Sequence, residues 1–181
     1  MTTTTSFDFD TAVADWWLIA AGTPHQRLRH GGAVAVVGPG SGLTALRLAR
    51  ALPLVTVWMS SPDPDEVEAA RRAADDVGVA ARCTFSVGPP DDLPVGGYDV
   101  VCLVDALRDA PDPERILRRI GRVMASDGTA LVVESLPPAL LEPDAGDPTA
   151  LTTLLARIGL ADVEVVARSD RHLGLRARRA P

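Results

Sequence analysis

The sequence predicts a single α/β domain built on a doubly wound, mostly parallel β-sheet. Short apolar runs rich in β-branched residues alternate with longer stretches that have helical spacing. The runs are apolar at most positions, as is typical of parallel strands buried on both faces, and crossovers between such strands are right-handed. A length of 181 residues fits one domain, which buries about 70% of the surface of its unfolded chain.

Seven segments are expected to form strands. The first five are the apolar runs at residues 33–37, 54–59, 83–87, 98–104 and 130–134. The last two, at residues 163–167 and 173–177, are joined by Ser169-Asp170-Arg171, and so short a connection makes them antiparallel. The sequence therefore predicts a seven-stranded sheet in which the last strand runs against the others.

Helices are expected between these strands, on both faces of the sheet, at residues 43–52, 63–77, 113–124 and 149–158. The second helix follows Ser61-Pro62 and has acids in its first turn, which favour the positive end of the helix dipole. Another helix is predicted near residues 11–21. We therefore divide the chain into an N-terminal helical segment, residues 1–32, and a Rossmann-like domain, residues 33–181.

Composition excludes several classes of protein. The 18 basic residues are all arginine and are outnumbered by 24 acids, for a net charge of −6, which argues against a nucleic-acid partner. Cys83 and Cys102 lie in apolar runs and suit a reducing cytosol better than a disulfide or a metal site. No basic leader and no apolar stretch of about 18 residues is present, so we expect a soluble cytoplasmic protein without a membrane span.

A glycine-rich loop follows the first strand, with the sequence Gly38-Pro39-Gly40-Ser41-Gly42. Glycines at a strand-to-helix turn let a ligand approach the backbone and aim free helix amides at it, although a tight turn with no ligand also needs glycine. The dinucleotide fingerprint requires a glycine where Leu43 stands and an acid where Met59 ends the second strand. NAD is therefore disfavoured.

Motifs spread over residues 34–179 resemble the class I S-adenosylmethionine (SAM) dependent methyltransferases. They are the glycine loop, Ser60-Ser61-Pro62, Tyr98-Asp99-Val100-Val101, Asp105-Ala106-Leu107 and Ala125-Ser126-Asp127-Gly128-Thr129. The sequence looks closest to bacterial small-molecule methyltransferases that carry an extra N-terminal helical domain. This resemblance implies SAM or S-adenosylhomocysteine as cofactor, with no metal, and a cofactor site formed by Gly38, Pro39, Gly40, Ser41, Gly42, Met59, Ser60, Pro89, Pro90 and Asp105.

The sequence departs from this family at the positions that usually hold the cofactor. Val36 replaces the acid that braces the glycine loop, and Met59 replaces the acid that accepts both ribose hydroxyls. Pro89 and Pro90 stand where an Asp and a backbone N–H bind the adenine, and proline has no N–H to donate. Arg108 replaces a frequent histidine.

These departures leave three functional hypotheses open. The first is a methyltransferase fold that no longer methylates with SAM, recruited to another small-molecule reaction, such as a cyclisation in bacterial secondary metabolism, or kept as a pseudoenzyme partner. The alternative is a small-molecule methyltransferase that holds SAM through the glycine-loop backbone and Asp105. The third is a non-catalytic subunit that docks onto a second copy or a partner enzyme through the helix of Trp16-Trp17-Leu18-Ile19.

Candidate catalytic residues follow the fourth and fifth strands. Asp105, Arg108 and Glu134 are expected around one opening, because the carboxyl ends of parallel strands share an edge of the sheet. Arg108 would orient an anionic or carbonyl group and Asp105 would act as the base, although either acid also suits a helix cap or a solvated loop. The former adenine pocket would form an apolar wall of Met59, Pro89 and Pro90.

Overall fold

The computed structural model describes residues 28–107, 109–135, 153, 155–156, 159–168 and 172–179. The helix predicted near residues 11–21, and with it Trp16-Trp17-Leu18-Ile19, lies outside the described residues, as does Arg108. The helix predicted at residues 149–158 is described at Thr153, Leu155 and Ala156, which are helical. The division of the chain at residue 32 stays a prediction.

One sheet contains the seven strands of the described chain. They are β1 (Gly32–Val37), β2 (Val55–Ser61), β3 (Cys83–Val87), β4 (Tyr98–Val104), β5 (Met124–Ser135), β6 (Leu160–Arg168) and β7 (His172–Arg179). Their spatial order is β3-β2-β1-β4-β5-β7-β6. The pairs among β1 to β5 are parallel, and β7 is antiparallel to both β5 and β6. The predicted mostly parallel sheet with an antiparallel last strand is confirmed.

Three helices connect the parallel strands: α1 (Ser41–Ala51), α2 (Pro64–Asp76) and α3 (Pro113–Val123). Each of the last two begins at an aspartate whose side chain accepts from a backbone N–H of the first turn, with proline in the next position. Both features favour a helix start, because they satisfy one free N–H and remove another.

Strand β5 is longer than the sequence pattern predicts, because it begins at Met124 and not at residue 130. The register of β5 against β4 shifts between Tyr98 and Val100, as in a β-bulge. A Cβ on Gly128 would lie only 2.9 Å from the Tyr98 carbonyl oxygen. The glycine therefore lets β5 continue past residues that read locally as a turn.

The core lies on both faces of the sheet. Alternate residues of β1 point to opposite faces: Val34 and Val36 join one buried cluster, and Ala35 and Val37 join the other. The first cluster contains the buried apolar side chains of α1 and α2, and the second contains Ile116, Leu117, Ile120 and Val123 of α3. Helices therefore cover both faces of the sheet.

Arg82 stabilises the side of the sheet around β3. The Arg82 guanidinium donates to the carbonyls of Ala49, Leu52 and Val55, at 2.7, 3.2 and 3.0 Å, so it caps the carboxyl end of α1. Burial raises the pKa of the half-buried Cys83 thiol, an effect that the charge of Arg82 opposes.

Within the described chain, no helix has the length and apolar character needed to cross a membrane.

Candidate functional site

The candidate site lies where the parallel strands β1 to β5 end, which we call the carboxyl edge. The strand order reverses at β1, which pairs with β2 on one side and β4 on the other. A sheet of this kind opens a crevice at such a reversal, outside the carboxyl ends of its strands. The glycine loop, residues 38–42, connects β1 to α1 at this position.

The glycine loop presses against β4 on one side and faces open space on the other. Gly38 donates its N–H to the Ser60 carbonyl at 3.0 Å, and a Cβ on Gly38 would lie 2.1 Å from the Val104 carbonyl oxygen. Gly40 has φ +80°, and a Cβ there would meet no atom of the described residues within 4 Å. Close packing therefore requires a glycine at 38, whereas Gly40 leaves room for a ligand.

Buried serines tie the ends of β1, β2 and β3 together. The Ser41 hydroxyl donates to the Ser60 carbonyl at 3.1 Å, and the Ser60 hydroxyl donates to the Gly88 carbonyl at 3.0 Å. Gly88 in turn donates its N–H to the Ser61 carbonyl at 3.0 Å. The three serines are at most 1% exposed. The cofactor contacts predicted for Ser41 and Ser60 stay predictions, since both hydroxyls donate within the protein here.

The structure adds Glu66, on the first turn of α2, to the predicted site. Its Oε1 accepts the Gly42 N–H at 2.9 Å, and its Oε2 accepts the Gly40 N–H at 3.2 Å and the Ser61 hydroxyl at 2.6 Å. A carboxylate thus braces the glycine loop, although the usual position for one holds Val36. In the sequence, the feature that points to Glu66 is an acid in the first turn of the helix that follows Ser61-Pro62.

Val36 and Met59 are both core side chains with 0% exposure. Met59 shares its buried cluster with Val67 and Ala70 of α2, and its terminal methyl lies 3.5 Å from the position that a Cβ on Gly42 would take. Met59 therefore offers no accessible surface at the carboxyl edge in this structure. The cofactor contact predicted for it stays a prediction.

Pro89 and Pro90 follow β3, as the sequence indicated. Pro89 is exposed and Pro90 begins a short 3₁₀ turn, Pro90–Asp92. The next acid, Asp91, forms an ion pair with Arg115 of α3. This ion pair connects the turn that follows β3 to α3.

Asp105 and Glu134 brace the ends of β4 and β5 reciprocally. The Asp105 carboxylate accepts the N–H of Ser135 and, at 2.9 Å, its hydroxyl. Glu134, only 7% exposed, accepts the N–H of Leu107 at 2.9 Å. Asp105 also has φ +47°, a strained value for a residue with a side chain. The structure thus brings these two predicted acids to one place, where both hold loops.

Substitutions at Asp105 separate this bracing from acid–base chemistry. Asp105→Asn keeps an acceptor for the Ser135 N–H and suits a positive φ, so we expect a change in the free energy of unfolding below about 1 kcal/mol. Asp105→Ala removes both hydrogen bonds and should cost about 2–3 kcal/mol. Urea unfolding measures both values. Equal losses in the two variants would contradict a bracing role.

A sequence profile described as a methyltransferase domain matches residues 35–132, more than half of the chain. The chain belongs to this methyltransferase family. It is 26% identical over 117 residues to the ubiquinone/menaquinone biosynthesis C-methyltransferase UbiE of Geotalea uraniireducens, covering 63% of this chain and 50% of the relative. It is 28% identical over 99 residues to ajmaline N-methyltransferase of Rauvolfia serpentina, covering 54% and 34%. The chain thus spans half or less of these curated relatives.

Solved structures of this fold include proteins of different activity. The [4+2]-cyclase SpnF superposes with a TM-score of 0.70 at 19% identity, covering 95% of this chain and 93% of SpnF. A SAM-dependent methyltransferase from Aquifex aeolicus superposes with a TM-score of 0.69 at 15% identity, covering 95% and 97%. At these identities, the likeness establishes the fold that this methyltransferase-family chain shares with them.

Several residues at the carboxyl edge differ from those that the family resemblance implies around SAM, although a SAM-dependent methyltransferase has the same fold. A buried methionine occupies the position of the ribose acid, and Pro90 has no N–H for the adenine. The Gly40 and Gly42 amides already donate to Glu66. Within the described residues, no three His, Cys, Asp or Glu side chains are grouped as metal ligands.

Proposed function

We propose that this chain is a methyltransferase-family protein that does not methylate with SAM, and that its cleft serves a different small molecule. The observation that carries this proposal is the burial of Met59, a residue of β2 that is 0% exposed and shares its buried cluster with Val67 and Ala70 of α2. An acid at this position would have to reach the ribose of SAM. A fully buried methionine supplies neither the charge nor the accessible surface for that contact.

The missing contacts would lower the affinity for SAM strongly. A hydrogen bond to a charged group contributes roughly 1.5–3 kcal/mol, so losing the ribose acid weakens binding by about ten- to a hundredfold. Losing the adenine contacts at Pro89 and Pro90 adds to this, although such losses do not sum exactly. A micromolar affinity for SAM would therefore become millimolar.

Neighbouring acids compensate poorly for these losses. Asp91 is next to Pro90, but it is paired with Arg115 and its side chain is only 13% exposed. Turning it toward an adenine would break that ion pair. Glu66 is another acid near the glycine loop, but its carboxylate oxygens already accept hydrogen bonds from that loop and from Ser61.

Bound nucleoside provides the first test of the proposal. We expect the purified protein to release no SAM, S-adenosylhomocysteine or other nucleoside when it is denatured, as measured by ultraviolet absorbance and mass spectrometry of the filtrate. The matched comparison is Gly40→Trp, which fills the open side of the loop. Nucleoside released by the wild type and lost in Gly40→Trp would contradict the proposal.

The second candidate is a small-molecule methyltransferase that holds SAM through the glycine-loop backbone and Asp105. The open space at Gly40 favours it, because a ligand can approach the backbone there. The curated relatives are also a C-methyltransferase and an N-methyltransferase by name. Gly40→Trp should then abolish SAM binding, whereas our first proposal expects little SAM binding in either protein.

Within the first proposal, we favour a protein that catalyses another small-molecule reaction, because this version gives a role to the residues at the carboxyl edge. SpnF is a [4+2]-cyclase with this fold. A cyclisation of this kind requires that the substrate be held in a reactive conformation, and it requires no methyl donor. In our proposal Arg108 orients a carbonyl or anionic group, and Asp105 or Glu134 provides a carboxylate. Full activity of both Asp105→Asn and Arg108→Ala would remove Asp105 and Arg108 from the chemistry.

A partner protein remains a separate proposal. We propose that Trp16-Trp17-Leu18-Ile19 dock onto a second copy or another enzyme, on the basis of their apolar sequence alone. Light scattering of the wild type and Trp17→Glu tests this, since an unchanged mass with unchanged solubility counts against docking.

A further inference from the structure

We infer that the Glu66 carboxylate fills the anion-binding position of the glycine loop. This end of the cleft therefore selects a neutral or cationic ligand group over a carboxylate or phosphate. The inference deepens the proposed function, because it says what kind of small molecule the altered site takes. It rests on the three hydrogen bonds that place the Glu66 carboxylate on the loop.

The Glu66 carboxylate is nearly saturated by the protein. An ionised carboxylate has roughly four acceptor positions, and here the Gly42 N–H, the Gly40 N–H and the Ser61 hydroxyl use three of them. One position remains for a ligand donor. Glu66 is therefore able to accept one hydroxyl or ammonium group, but it does not replace a free acid that takes both hydroxyls of a ribose.

The same carboxylate occupies the donors that an anionic ligand would need. Gly40 is the N-cap of α1 and Gly42 lies in its first turn, where free N–H groups and the helix dipole attract negative charge. With the charge of Glu66 already there, a second carboxylate would lose these N–H donors and be repelled by a like charge. The methionine carboxylate of SAM is a group of that kind.

Local contacts favour a stable position for Glu66. The Ser61 side chain, which is 0% exposed, donates its hydroxyl to Glu66 at 2.6 Å, and the same hydroxyl oxygen accepts the Asp63 N–H at 3.2 Å. Ser61 thus links the start of α2 to the carboxylate that braces α1. Helices α1 and α2 are held together at the loop by this chain of contacts.

Glu68 provides a matched control on the same helix. Its side chain is 50% exposed and pairs with Arg71 and Arg72, and those contacts lie along α2. Glu68→Gln therefore changes the charge of α2 by the same amount as Glu66→Gln without touching the loop. An effect of Glu66→Gln that Glu68→Gln lacks is an effect of the loop contacts.

The test compares two probes that differ only in a carboxylate. S-adenosylhomocysteine carries an ammonium and a carboxylate, and decarboxylated S-adenosylhomocysteine keeps the nucleoside thioether and the ammonium without the carboxylate. We expect Glu66→Gln to raise the affinity for S-adenosylhomocysteine, relative to that for the decarboxylated probe, about tenfold over the wild-type ratio, with Glu68→Gln like the wild type. Chemical-shift titration detects binding into the millimolar range. No gain in Glu66→Gln, including no binding in either protein, would overturn the inference.

A measurement on the folded wild type keeps the inference testable if Glu66→Gln loses its fold. In ¹H–¹⁵N spectra titrated with inorganic sulfate, the Gly40 and Gly42 amides of the wild type should not shift, because Glu66 occupies them. Saturable shifts of both amides would overturn the inference. This outcome is distinct from failure of the proposed function, which is decided by the absolute affinity of the wild type for SAM.

Discussion

Gly38→Ala is expected to cost about 4 kcal/mol or more of unfolding free energy, enough to prevent folding of an ordinary domain. The added Cβ would lie 2.1 Å from the Val104 carbonyl oxygen and 3.1 Å from the Ala106 Cβ. The first of these neighbours is backbone at the end of β4, so it moves only if the central strands separate. Gly38 also has φ +114°, which an alanine rarely adopts.

Gly40→Ala is the matched control for this prediction. Gly40 also has a positive φ, +80°, but within the described part of the chain its Cβ would meet no atom within 4 Å. Only the backbone strain remains, so we expect a loss of about 1–2 kcal/mol. Urea unfolding of both variants measures the difference. Equal losses would mean that the loop is not packed against β4 at Gly38.

Met59→Asp is expected to destabilise the protein by about 4 kcal/mol. The substitution removes a fully buried apolar side chain and leaves a carboxylate in the cluster that contains Val67 and Ala70. Cavity formation at a buried methionine costs about 2–5 kcal/mol, and an unpaired buried charge adds to this cost. The prediction matters because the family resemblance implies an acid at this position.

Met59→Leu isolates the effect of the charge. A leucine of similar volume should cost less than about 1.5 kcal/mol, because it keeps the site apolar and filled. If Met59→Asp instead unfolds at the same urea concentration as the wild type, the position opens toward the cleft. Restored SAM binding in that variant would then show that a single substitution removed the cofactor site.

Much of the fold is predictable because its signals are local. Strands β3 and β4 match the predicted residues 83–87 and 98–104. Central strand β4 is largely apolar and buried, as is typical of a parallel strand, whereas β3 lies at one edge of the sheet and has no fully buried residue. The start of β5 was wrong by six residues, because Asp127-Gly128 reads as a turn in isolation. Only the close approach of Gly128 to the Tyr98 carbonyl shows why the glycine belongs to a strand.

The candidate site was predictable only in part. Topology places Asp105 and Glu134 on neighbouring strands, and the structure brings them together. Sequence patterns do not reveal that Glu66 reaches Gly40, 26 residues away along the chain. That contact depends on how α2 packs against α1, where Ala70 lies close to Gly42. An acid that looks in the sequence like an ordinary residue of a helix start therefore braces the glycine loop.

Titration calorimetry of the wild-type chain with SAM and S-adenosylhomocysteine tests the central claim most directly. The same titration of Gly40→Trp supplies the background, since that variant closes the open side of the loop. We predict that neither compound binds the wild type with a dissociation constant below about 50 μM, because the ribose and adenine contacts are missing. Saturable binding tighter than this, abolished in Gly40→Trp, would contradict the account and establish a working SAM site.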